Sequence, residues 1–235
     1  MAMVHHTLST GDTVAIIDDE PDEQDRLSDG VEDADFNPNI VDLPYSIDEL
    51  IREISETSSA AICDLRLTKF KNIPYWGSEV VAKLNQANIP AILVSSGVNE
   101  RTNAEVRKWR ANIPRLITRT EGSDPVSLRA ALTLADRELA KKFTPDRKPY
   151  QTVVRIAQVE VDHPEPMAEV VVIGWHPDKE VLVPLSVFTD AVGPISTEIK
   201  DERFIADVNI YAEDEGDLYF RNIHRSPALP EEWLR

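Results

Sequence analysis

A single cysteine, Cys63, stands in the whole chain of 235 residues. It has no partner for an internal disulfide and cannot build a cysteine-based zinc site. Its place in an apolar run, AAICDL, marks it as a small buried hydrophobe. Apolar stretches long enough to cross a bilayer are also missing, since a span needs roughly 20 such residues. The N-terminal segment MAMVHHTLSTGD has neither the basic flank nor the apolar core of a secretory signal, so a cytoplasmic protein without membrane attachment is expected. Positive charge is scarce: 25 Lys and Arg against 42 Asp and Glu leave a formal net charge of -17. No Lys/Arg cluster offsets that field, and a phosphate backbone would be repelled, so nucleic-acid binding is not expected. Internal repeats and low-complexity tracts are absent. At 42% hydrophobic residues the chain can bury a core rather than remain disordered.

After a flexible segment, 1–12, short β-branched runs alternate with amphipathic stretches. Residues 13–19 (TVAIIDD) read as a buried strand ending in carboxylates, and 21–35 as a helix that Pro21 can start. Asn37-Pro38-Asn39 reads as a break before a second strand at 40–43. A helix follows over 46–57, with Ser46 as N-cap and Leu50, Ile51 and Ile54 as its apolar stripe. Strands at 60–65, 90–95 and 115–118 are separated by helices at 78–87 and 103–111. A long helix over 124–143 closes the series. This alternation predicts an α/β fold for 13–143: a doubly wound, five-stranded parallel sheet covered on both faces.

The pattern changes at TPDRKP, which reads as a linker over 144–149. Residues 150–235 are strand-like, with runs at 152–161, 168–175, 180–184, 204–211 and 217–220 between turn signals. A small, mainly antiparallel β domain is expected, as a barrel or sandwich.

Ligands of open parallel sheets bind beyond the carboxyl ends of the strands. Four strands here bring polar residues to that edge: Asp18-Asp19-Glu20, Asp64, Ser95-Ser96 and Arg119. Carboxylates gathered in one place resist ionising together, and a hard divalent cation such as Mg²⁺ relieves the repulsion. Asp64 in such a setting can act as a nucleophile toward a phosphoryl group, and the Ser95 hydroxyl can bond to the group transferred.

The segments VAIIDDE (14–20), ICDLRL (62–67) and IPAILVSSG (89–97), with the spacing between them, resemble the response-regulator receiver family of two-component signalling over roughly residues 13–140. That resemblance implies a flavodoxin-like receiver. Asp18 and Asp19 would be the metal-binding acids, Asp64 the phosphoacceptor and a metal ligand, the backbone carbonyl of Arg66 a further ligand, and Ser95 the family's hydroxyl residue. It further implies Mg²⁺ as cofactor, a histidine kinase or small phosphodonor as partner, and a possible homodimer through the last helix and strand five. Three features depart from the family. Arg119-Thr120 stands where a lysine, usually followed by proline, is expected. Leu116 replaces the aromatic switch residue. The loop TKFKNIPYW (68–76) is several residues longer than usual and carries the exposed-looking aromatics Phe70 and Tyr75.

Residues beyond 150 show no basic helix-turn-helix. Acidic residues outnumber basic ones there about two to one, so a protein partner is the expected target of the β domain. His163, His176 and His224 match no ligand spacing and read as turn residues. Ser186 and Ser226 lack a nucleophile-elbow context, and the acids at 213–217 read as a solvated turn. No enzymatic activity is expected beyond slow autodephosphorylation. Two functions stay open: a regulator phosphorylated on Asp64 that relays the change through its β domain, or a phosphorylation-independent pseudo-receiver acting as adaptor in a bacterial stress or defence complex.

Overall fold

In a computed structural model of the protein, residues 7–67, 72–96, 104–162, 165–195 and 202–227 are described. The chain divides into two compact units, 1–144 and 145–235.

The first unit holds five parallel strands in the order β2-β1-β3-β4-β5: β1 (Thr13–Ile17), β2 (Asn37–Ile40), β3 (Ala60–Asp64), β4 (Ala91–Ser95) and β5 (Leu116–Thr118). This is the doubly wound order of flavodoxin-like domains, with its winding reversal between β1 and β3. The side-chain period of two sends alternate residues to opposite faces. Val14, Ile16, Ala60, Ile62, Ile92 and Val94 face one core, covered by α1 (Pro21–Asp33) and α6 (Pro125–Leu139). Ala15, Ile17, Ala61, Cys63, Ala91 and Leu93 face the other, covered by α2 (Ile47–Thr57), α3 (Gly77–Gln86) and α4 (Ala104–Trp109). Being buried on both faces explains why these strands read as unbroken apolar runs. The expected five-stranded parallel sheet is therefore present.

Several boundaries differ from expectation. The second strand begins at Asn37, not Ile40, and takes in Pro38. It pairs only with β1, and an edge strand tolerates a residue without an N–H. Arg119 begins a further short helix, α5 (Arg119–Gly122), whose Thr118 and Glu121 form a reciprocal capping box. Ser9 to Asp12, expected within a flexible segment, form a turn whose Gly11 N–H donates to Asp35 O at 2.8 Å. Tyr75, expected to be exposed, is buried and donates to Pro44 O at 2.6 Å; Phe70 lies outside the described residues.

The described residues of the second unit form one antiparallel sheet in the order β10-β9-β6-β7-β8, so the expected antiparallel β domain is present and, among these residues, is a single open sheet. Its strands are β6 (Tyr150–Glu160), β7 (Met167–Val172), β8 (Glu180–Pro184), β9 (Arg203–Val208) and β10 (Phe220–Arg225). The unforeseen helix α7 (Ser186–Val192) lays Phe188 on the sheet's core face and packs against both edge strands. It ends at Gly193, whose φ of 80° suits only glycine at low cost. The last strand lies at 220–225, not 217–220. It is a polar edge strand with a bulge between Arg221 and His224, and that composition conceals it from an apolar-run reading. Pro145–Arg147, expected in a linker, form a 3₁₀ turn. The buried Asn209 donates to Asp146 O and Asp217 O and accepts from Tyr219 N–H, while Tyr219 Oη donates to Arg147 O. No helix among the described residues is long and apolar enough to cross a membrane.

Candidate functional site

The register of the first sheet builds the site. Ile17 pairs with Cys63, so the next residues along, Asp18 and Asp64, leave the sheet side by side on strands about 4.8 Å apart. Asp64 pairs in turn with Val94, and Ser95 with Thr118. Asp18, Asp19, Asp64 and Ser95 thus gather at one carboxyl edge, and all four are buried, at 1, 5, 2 and 3% exposure.

Local bonds fix their orientation. Asp18 Oδ1 accepts from Glu20 N–H at 2.8 Å, and Gln24 Nε2 donates to Asp18 O at 2.7 Å. Asp64 Oδ2 accepts from Arg66 N–H at 2.7 Å, and Arg119 Nη2 donates to Asp64 Oδ1 at 3.0 Å. The sequence alone did not reveal what holds the far side of Arg119. Its Nη2 lies 3.5 Å from Glu20 Oε1 and its Nη1 3.5 Å from Glu23 Oε1, while Glu23 Oε1 also accepts from Arg26 at 2.8 Å. Glu23 could have been suspected only from its position one turn into a helix starting at the acidic edge.

Crowded burial changes the acids. Desolvation, then the charges of Asp64 and Asp19, push the Asp18 carboxyl up to about 7, against the Glu20 bond and the Arg119 charge. Burial also raises Asp64, opposed by its bonds to Arg66 and Arg119. Burial and then the charges of Asp64 and Asp18 push the Cys63 thiol up, leaving it an inert packing group. A further constraint lies behind Asp64. A Cβ on Gly77 would stand 1.8 Å from Asp64 O, so only glycine lets α3 start there.

For a divalent ion the donor chemistry fits. Buried carboxylates of like charge supply hard oxygens, and among the described residues nothing donates to Asp18 Oδ2. The set is spare, because no group of three or more His, Cys, Asp or Glu among the described residues is arranged to hold a metal. Water and main-chain oxygen would complete the shell.

Among the described residues, the second unit gathers no comparable cluster. His176 and His224 are exposed and His163 lies outside the described residues. Ser186 Oγ donates to Glu165 Oε1 at 2.6 Å. Glu215 of the acidic turn pairs with Lys179 at 2.9 Å.

No family model matches the chain, nor does any curated protein. Among solved structures it is similar to a response regulator receiver domain protein from Clostridium thermocellum, at 15% identity over 55% of this chain and 98% of that one, TM-score 0.42. It is also similar to the signal receiver domain of a modulated diguanylate cyclase from Desulfovibrio desulfuricans, at 17% identity over 56% and 98%, TM-score 0.45. A third is the signal receiver domain of a LuxO repressor protein from Vibrio parahaemolyticus, at 18% identity over 56% and 95%, TM-score 0.39. The part covered is the N-terminal one, and these proteins are receiver domains.

Proposed function

We propose that the first unit is an atypical response-regulator receiver in which Asp64 accepts a phosphoryl group with Mg²⁺ bound beside it. The second unit then passes the change to a protein partner. The observation supporting this most is the convergence of Asp18, Asp64, Ser95 and Arg119 at one strand edge. In such an edge an oxygen of Asp64 attacks phosphorus, the donor's bond to phosphorus breaks, and the leaving group keeps the electron pair. Bound Mg²⁺ supplies charge neutralisation on the phosphoryl oxygens. Arg119, already bonded to Asp64, adds a fixed cation with two donor edges. The Ser95 hydroxyl, at the end of β4, is suited to bond the new phosphate. A histidine kinase or a small acyl phosphate would serve as donor. The protein incubated with Mg²⁺ and acetyl phosphate should gain the mass of one phosphoryl group, and Asp64→Asn should not. Unchanged mass in the wild type, together with no stabilisation by beryllofluoride, would overturn this reading.

One observation favours a second reading, a phosphorylation-independent adaptor. Asp64 is 2% exposed and hydrogen-bonded at both oxygens, a resting state closed to an incoming donor. For an adaptor, partner capture by wild type and Asp64→Asn would be equal.

A further inference from the structure

Arg119 does more than stand in for a lysine. Its guanidinium spans three carboxylates: Asp64 at 3.0 Å, and Glu20 and Glu23 at 3.5 Å each. Two of the three come from the N-terminal boundary and first turn of α1 (Glu20 and Glu23), the third from the end of β3. The base of the arginine is also fixed, since the capping box of Thr118 and Glu121 holds the first residue of α5 in place. Glu23 is itself steadied by Arg26. A planar guanidinium offers several donors in a rigid fork and can serve these acceptors together, whereas an ammonium is a compact point charge.

We propose that Glu20 and Glu23 are positioning residues that hold Arg119 on Asp64 as a resident counter-cation, so that a divalent ion gains Asp64 only by opening this clamp. The inference rests on the reading of this edge as a cation site. Burying Asp18 beside Asp64 leaves the edge short of positive charge, and the chain supplies one such charge from within. Ion entry then becomes an exchange of cations rather than a simple addition. Loosening the clamp favours the exchange, even when the net charge of the site is kept.

The test is calorimetric titration of the full chain with Mg²⁺, at fixed ionic strength. Arg119→Lys keeps the charge and removes the fork. It should bind Mg²⁺ about tenfold more tightly, the equivalent of one charge-assisted hydrogen bond no longer to be broken. A pure field effect predicts no change, and equal affinity in wild type and Arg119→Lys overturns the inference while leaving the metal reading intact. Glu23→Gln is then compared in two backgrounds. If Glu23 acts through Arg119, its removal shifts affinity in the wild type and has no effect beside Arg119→Met. Equal shifts in both backgrounds overturn the positioning role. Absence of Mg²⁺ binding in the wild type and in every variant overturns the metal reading itself, and the clamp with it.

Discussion

The two units bury polar side chains to opposite ends. In the second, Asn209 has its amide nitrogen donating to two carbonyls and its oxygen accepting from Tyr219 N–H. In the first, Asp18 and Asp64 are buried side by side with the same charge, and both are pushed toward their protonated forms. Buried polar groups matched to their partners stabilise a fold, while buried like charges cost stability, an arrangement that clusters at functional sites. The contrast separates a unit that concentrates like charge at one strand edge from a described interior in which Asn209 is matched to its partners.

The strongest challenge to that contrast is Gly77→Ala. The new Cβ collides with the backbone of Asp64 and the sulfur of Cys63, so urea unfolding of the first unit should show a loss of about 3 kcal/mol or more. An unchanged midpoint would mean that the carboxyl edge is pliable. Next in size is Asn209→Ala, which strips bonds from two carbonyls and one amide. The second unit should lose about 2–3 kcal/mol, with the first unit unaffected.

The pH dependence sharpens the difference further. Asp18 titrates near 7 when folded, against 3.8 for an ordinary aspartate. Across that window the folded chain keeps a proton the unfolded chain has released, so stability falls as pH rises and the contribution is gone above about 7. Between pH 5 and 8 the first unit should lose on the order of 2 kcal/mol, and Asp18→Asn should flatten the profile. A flat wild-type profile would show the acids to be solvated. The smallest effect expected is Tyr75→Phe, which removes the bond to Pro44 O and should cost about 1 kcal/mol by the same unfolding measurement.

Much of the first unit was legible because its strands are buried on both faces and run into polar residues: TVAII before Asp18, AAICD closing on Asp64, AILVS closing on Ser95. Periodicity also located the cores of α2, α3 and α6. Edge elements were harder. Pro38 reads as a breaker unless the strand is known to be an outer one, and the charged FRNIHR of β10 has no apolar signature. The helix α7 is only seven residues long, rich in β-branched side chains, and stabilised by packing rather than propensity. Within the site, the aspartates, Ser95 and Arg119 could be read from position. The clamp of Glu20 and Glu23 could not, because it depends on where α1 sets its first turn against a guanidinium about a hundred residues further along the chain.

Gly77 carries a last consequence. Its N–H donates to Leu65 O at 3.1 Å, fastening the two ends of the segment that follows β3 to each other. Once both ends are anchored, lengthening the segment costs only the slow logarithmic growth of ring closure, about 0.6 kcal/mol per doubling. Lengthening the chain between Leu67 and Ile73 is therefore expected to leave the strand that carries Asp64 in place.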